Sequence, residues 1–275
     1  MSDTSVPPAS DTSVPPALEA VGLRKTFGDF VAIDGVDLSL AAGASLAVVG
    51  ESGSGKTTTA RMVAGLEAPT AGDVRWNGRP LPGRRARKAV RRSFARDVQM
   101  VFQDPYASLD RHQAVDDSIS EVLAHHTDLR GGALARRTTE LLDQVGLTSG
   151  QARSLPRALS GGQRQRVAIA RAVAVRPRVL VLDEAVAALD VSVQAQIVTL
   201  LRDLREQSGI AYLFITHDLG IVQHICEDIV VMHRGRIVER GRTVSVLERP
   251  KAPYTRKLID SVPRRGWAPK RAATA

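Results

Sequence analysis

The sequence predicts an α/β fold built around a mostly parallel central sheet, and three observations predict it. Short apolar runs at residues 45–49, 179–182 and 211–215 carry few polar positions, the pattern of strands covered on both faces. Helical stretches such as 163–175 and 193–206 lie between such runs, so strand and helix alternate. The first run ends in glycines and leads into a helix-like segment, 58–66, the order of strand, phosphate loop and helix.

Taken in chain order, residues 2–9 read SDTSVPPA and residues 10–17 repeat those eight letters, so a Pro-, Ser- and Thr-rich disordered tail is expected over 1–17. From Leu18 the pattern becomes globular, and 31–40 alternates enough for strands. Between Arg84 and Arg96 seven of thirteen positions are Arg or Lys, with Val90 and Phe94 four apart among them, which reads as a solvated helix face. Residues 104–158 hold helix-like stretches at 116–124 and 134–145 and no convincing strand; a helical insertion is expected there.

The whole chain sets bounds on function. A length of 275 residues suffices for one large domain or one domain with an inserted subdomain. No apolar run approaches the roughly 18–20 residues that cross a bilayer, and the first residues lack the basic-then-apolar order of a secretory signal. Cytoplasmic residence is the resulting expectation. The single cysteine, Cys226, reads as a small core residue without chemistry. A net charge of +9 suits nucleic acid, an anionic membrane face or an acidic partner, and does not choose among them.

Chemistry begins at Gly50-Glu51-Ser52-Gly53-Ser54-Gly55-Lys56-Thr57, followed by Thr58. Glycines let successive backbone N–H groups converge on a phosphate at the positive end of a helix, Lys56 adds charge near the outer phosphates, and Thr57 can ligate Mg²⁺. Asp183 and Glu184 end a buried strand, where α/β sheets put their ligands. Asp183 suits support of Mg²⁺, and Glu184 suits positioning of an attacking water. Ser160-Gly161-Gly162-Gln163 precedes a long helix and would present donors at its positive end.

The octamer from Leu159 to Arg166 resembles the signature motif of ABC-transporter ATPases, and the resemblance covers nearly everything from Leu18 to Val262. It implies the ABC type of P-loop NTPase, with an N-terminal antiparallel β part, an ATPase domain over 18–244 and the helical insertion at about 104–158. Gln103 looks like the family's Q-loop residue, His217 like its switch histidine, Phe27 like the ring that stacks on adenine, and Asp190 like part of its D-loop. The family's arrangement implies two subunits sandwiching two ATP molecules, each bound by one phosphate loop and in trans by Ser160, Gly161, Gly162, Gln163 and Asp190 of the other. Lys56, Gln103, Glu184 and His217 are the expected catalytic set, and Thr57, Gln103 and Asp183 the expected Mg²⁺ set.

Two further stretches, 101–109 and 248–258, look like the dipeptide, oligopeptide and nickel importer ATPases, whose core is followed by a Pro-Tyr extension, here 245–275 with a basic tail. The resemblance implies peripheral attachment at the cytoplasmic face of the plasma membrane, permease subunits as partners, a second ATPase subunit, and a solute-binding protein acting indirectly. It implies no nucleic-acid partner. Peptides are the expected cargo, with nickel or another small solute as the alternative. The branch usually has His, Pro and Ser where Ala252, Ala185 and Ala187 stand, so the backbone beside Glu184 is expected to be looser. Some members carry C-terminal cysteines that suggest an iron–sulfur site; this chain has none there and no cluster is expected. A soluble ABC ATPase of DNA repair or translation, a non-hydrolysing regulatory subunit and an exporter subunit are the rival readings.

Overall fold

The computed structural model describes residues 15–83 and 85–261. The chain opens with two long antiparallel strands, β1 (Leu18–Phe27) and β2 (Phe30–Leu40), then β3 (Ser45–Val49) and the helix α1 (Lys56–Val63). Strands β4 (Ala71–Trp76) and β5 (Arg79–Pro80) complete a four-stranded antiparallel sheet in the order β2-β1-β4-β5. After α2 (Lys88–Asp97) and β6 (Val98–Val101) come the helices α3 (Pro105–Ser108), α4 (Val115–His126), α5 (Gly131–Gln144) and α6 (Ser149–Ala152), a 3₁₀ turn and α7 (Gly161–Ala174). The remainder runs β7 (Val179–Asp183), α8 (Val191–Ser208), β8 (Ala211–Thr216), α9 (Leu219–Ile225), β9 (Asp228–His233), β10 (Arg236–Arg242), α10 (Thr243–Glu248) and α11 (Pro253–Asp260).

The second sheet has the order β10-β9-β3-β8-β7-β6; its five strands from β9 to β6 are parallel and β10 closes the edge antiparallel. Alternation along these strands divides the core in two. Ala47, Val49, Leu180, Leu182, Tyr212 and Phe214 face the helical side, together with Ile119, Leu141, Ile169 and Ile197. Leu46, Val48, Val179, Val181, Leu213 and Ile215 face the antiparallel sheet, with Leu23, Ile33, Val36 and α1's Met62. Covering on both faces is why the short apolar runs in the sequence read as strands.

The structure adjusts several expectations. Residues 1–14 of the expected tail lie outside the described residues, but Ala17 is buried and its carbonyl accepts the Asn77 N–H at 3.2 Å, so the folded part starts before Leu18. Helix α1 begins at Lys56 and ends at Val63, two to three residues ahead of the expected 58–66, because Gly55 takes the left-handed conformation at its N-cap. The basic stretch forms α2 with Phe94 buried edge-on against Trp76 at 5.7 Å, while Val90 stays exposed. The Pro-Tyr extension is not appended as a separate unit: Thr255 and Leu258 are buried, and Leu258 belongs to the helical-side core. Its basic tail, 262–275, lies outside the described residues.

Candidate functional site

Strand β3 delivers the chain to a loop that three glycines with positive φ allow to curl: Gly50 at 155°, Gly53 at 78° and Gly55 at 103°. Two of them also stand against other chain segments. A Cβ on Gly50 would lie 2.3 Å from the Met232 carbonyl oxygen, and one on Gly55 would lie 2.5 Å from Ile33 Cδ1. The end of β9 is thus the back wall of the loop, and the Gly235 N–H donates to the Ser54 carbonyl at 3.0 Å beside it. Ser52 and Gly53 are exposed, Thr58 is half-buried, and the buried Ser54 hydroxyl has no hydrogen-bond partner among the described residues.

Lys56 is buried and turned into the loop, where its Nζ donates to the carbonyl oxygens of Gly50 at 2.8 Å and Glu51 at 3.0 Å. Burial lowers its pKa, opposed by the charges of Glu184 and Asp183. The adjacent Thr57 Oγ1 donates to Asp183 Oδ1 at 3.1 Å, which joins the loop to the end of β7. Burial raises the Asp183 pKa; the Thr57 hydrogen bond and, more weakly, Arg61 and Lys56 pull it down, while Glu184 adds to the rise. Arg61, one helical turn beyond Thr57, was not among the residues expected here, and its four-residue spacing from Thr57 is the signal that could have found it. A cavity of 380 Å³ opens beside this pair, lined by Thr57, Arg61, Phe102, Gln103, Asp104, Ser108 and Asp183.

Glu184 has a left-handed backbone, φ 48°, uncommon for a residue with a Cβ. Its N–H donates to the Ile215 carbonyl at 2.9 Å and its own carbonyl accepts from Ala187 N at 3.0 Å, so the turn is fixed from both sides. Gln103 Nε2 donates to Glu184 Oε2 at 3.1 Å, and His217 Nδ1 lies 3.5 Å from Oε1. Three residues expected from separate motifs thus meet on one carboxylate. Phe27 is 50% exposed at the end of β1, with the Lys25 ammonium 5.0 Å from its ring centre, so the ring is available as a stacking surface.

The remaining expected residues stand apart from this cluster. Ser160 caps α7 in a reciprocal pair with Gln163: the Gln163 N–H donates to Ser160 Oγ at 3.3 Å, and the Ser160 N–H donates to Gln163 Oε1 at 2.8 Å. A Cβ on Gly161 would meet Leu189 Cδ2 at 3.4 Å, and one on Gly162 would meet Val193 Cγ1 at 2.4 Å, so the start of α7 lies against the start of α8. Asp190 caps α8, accepting from the Val193 N–H at 3.0 Å and the Ser192 hydroxyl at 2.7 Å; those bonds, Ser192's first, hold its carboxyl below the usual range. Among the described residues no hydrogen bond joins Ser160 to Gln163 with the phosphate loop. Helix α3, just after Gln103, does touch α7: the Arg164 guanidinium lies 5.4 Å from the Tyr106 ring centre, and Arg171 Nη1 donates to the Ser108 carbonyl at 2.7 Å.

The chain is similar in sequence and in fold to known proteins. Residues 33–187 match the ABC transporter family model. The chain is 46% identical over 245 residues to the oligopeptide transport ATP-binding protein OppD of Mycobacterium tuberculosis, an alignment that spans 89% of this chain and 40% of that protein. It is 45% identical over 242 residues to the di/tripeptide transport ATP-binding protein DppF of Pseudomonas aeruginosa, covering 88% of this chain and 74% of that one. Among solved structures, a dimeric post-hydrolysis state of the ATP-binding cassette MJ0796 bound to ADP and Pi superposes with a TM-score of 0.73 at 27% identity, over 82% of this chain and 98% of that one.

Proposed function

Because the chain belongs to the ABC transporter family of ATPases, we propose that it binds and hydrolyses ATP as a subunit of a membrane importer and couples hydrolysis to peptide uptake through separate permeases. The observation that carries the ATPase half is the Glu184 carboxylate, held at the mouth of a phosphate loop with a different partner on each oxygen. The peptide half rests on the relatives named for oligopeptide and di/tripeptide transport, together with the Pro-Tyr extension.

Transfer of a phosphoryl group needs positioning and charge stabilisation from several sides more than it needs covalent chemistry. Lys56 and the N–H groups at the start of α1 receive the phosphates, and Phe27 stacks on the base. Glu184 orients the attacking water, while Gln103 and His217 hold the plane of its carboxylate. Thr57 Oγ1 and Asp183 Oδ1 are oxygen donors 3.1 Å apart, a pair that fits a hard cation, and with Gln103 they would hold Mg²⁺. When bound, that ion would neutralise phosphate charge.

The start of α7 supplies what one subunit lacks. Ser160, Gly161, Gly162 and Gln163 sit at a positive helix end, and in a paired assembly they and Asp190 face the nucleotide of the second ATPase subunit, this chain or a related one. The dimeric, ADP- and Pi-bound cassette at 27% identity supports such pairing. No helix among the described residues is long and apolar enough to cross a membrane, in keeping with a peripheral subunit on the cytoplasmic face that depends on permeases and, through them, on a solute-binding protein. Nucleic acid has no part in this reading.

Glu184→Gln tests the site: ATP binding is retained while turnover falls by about 10²–10⁴, the range of positioned proton-transfer assistance, and ordinary turnover in that variant refutes the assignment. Affinity purification from membranes of the native host tests the assembly. Multi-spanning permeases recovered with the chain support the importer; recovery with ribosomes or DNA in the soluble fraction overturns it.

A further inference from the structure

The C-terminal extension reaches the phosphate loop. The Glu51 N–H donates to Tyr254 Oη at 3.1 Å, a contact between residues 203 positions apart. The Tyr254 ring lies over His233 at the end of β9, with ring centres 3.9 Å apart and planes inclined by 34°. Glu239 of β10 grips the approach to the helix: its Oε1 accepts the Lys251 N–H at 2.7 Å and its Oε2 the Ala252 N–H at 3.0 Å. Buried Leu258 anchors the far end of α11 in the core. The tyrosine is therefore held at three levels, by its helix, by its ring and by its hydroxyl.

On the other side of the same residue, the Glu51 carbonyl accepts from Lys56 Nζ at 3.0 Å and from the Ser54 N–H at 3.2 Å. Glu51 is thus clamped through both its N–H and its carbonyl, and its carbonyl is one of the two oxygens that aim the Lys56 ammonium. We propose that Tyr254 is a positioning residue for the nucleotide: its hydroxyl fixes the first limb of the phosphate loop, and with it the Lys56 ammonium, in the geometry that receives phosphate. The inference rests on the nucleotide-binding reading above. It gives the Pro-Tyr extension a task within its own subunit, that of completing the nucleotide site.

Tyr254→Phe keeps the ring and its stacking and removes only the acceptor. The full chain is titrated with a fluorescent N-methylanthraniloyl ATP, melted without nucleotide, and followed by amide hydrogen exchange at the loop. The expected result is a Kd raised about three- to tenfold, the worth of one ordinary hydrogen bond. The loop peptide holding Glu51 exchanges faster, and the melting midpoint moves by less than about 2 °C. An unchanged Kd overturns the inference. So does a raised Kd accompanied by a clearly lower midpoint, since Tyr254 would then be core and no more. If the unsubstituted chain itself fails to bind the ATP analogue, the nucleotide reading and the inference fall together.

Discussion

Asp183 is 4% exposed, and burial lifts its pKa although Thr57 donates to it. The sign follows: a carboxyl whose folded pKa lies above its unfolded value favours the fold while protonated, and that contribution is lost as pH rises through the folded pKa. At neutral pH the ionised Asp183 therefore costs stability. Asp183→Asn, which can still accept from Thr57, is expected to melt higher than the unsubstituted chain at pH 7.5. The gap should close as pH falls toward the ordinary carboxylate pKa near about 4, and equal melting at pH 7.5 would remove the argument. Lys56, Thr57 and Asp183 were legible in the sequence because a phosphate loop and a strand-ending acid are local patterns. The place of Tyr254 at the loop was not, since it meets Glu51 only through the tertiary fold, and Arg61 was marked only by its four-residue spacing from Thr57. The left-handed backbone of Glu184, just past the end of β7, had no sequence signal, since Glu is not among the residue types enriched in that conformation.

At the scale of elements, α7 and α8 meet where Gly162 faces Val193. A methyl at 2.4 Å from a β-branched side chain cannot be relieved by a rotamer change alone, so the helix starts must separate. Gly162→Ala is expected to lose about 1–3 kcal/mol, read as a melting midpoint lower by a few degrees in a chain of this size. Adding Val193→Ala should recover most of the loss; no recovery in the double variant would show that the strain lies elsewhere. The sequence carried the existence of α7 and α8 plainly, through their helical stretches and through Ser160 at the start of α7, whereas the capping of α8 by Asp190 came only with the structure. It carried nothing of their mutual approach, because Gly162 reads equally well as a flexible turn residue. The same limit applied to α2, where only contact with Trp76 distinguishes Phe94 from Val90.

For the whole molecule, the two-sided parallel sheet is what makes one unit of two cores. Leu213 and Phe214 are adjacent on β8 and point to opposite sides, both almost fully buried. Leu213→Ala and Phe214→Ala should each destabilise by about 2–5 kcal/mol, and both should shift a single calorimetric transition. Two separate transitions, each moved by one variant, would mean that the cores melt independently. The alternating order of short apolar runs and helices made the parallel sheet legible, and the lack of strand signal over 104–158 made the helical segment legible. The order of strands was beyond the sequence alone, since a buried strand looks the same wherever it is inserted.

That order also sets a timetable. Strand β3, which leads into the phosphate loop, lies between β8 and β9, and the back wall of the loop comes from Met232, Gly235 and Tyr254. A ribosome that has just made Val49 must add about 160 residues before the first of those neighbours exists, on the order of ten seconds or more at ordinary synthesis rates. A nascent chain can pair β1, β2 and β4 early and so already holds Ile33 beside Gly55, but the back wall of its nucleotide loop is complete only once α11 has emerged. The last of the loop's neighbours to be made is Tyr254, so a chain halted before α11 lacks the hydroxyl that holds the Glu51 N–H.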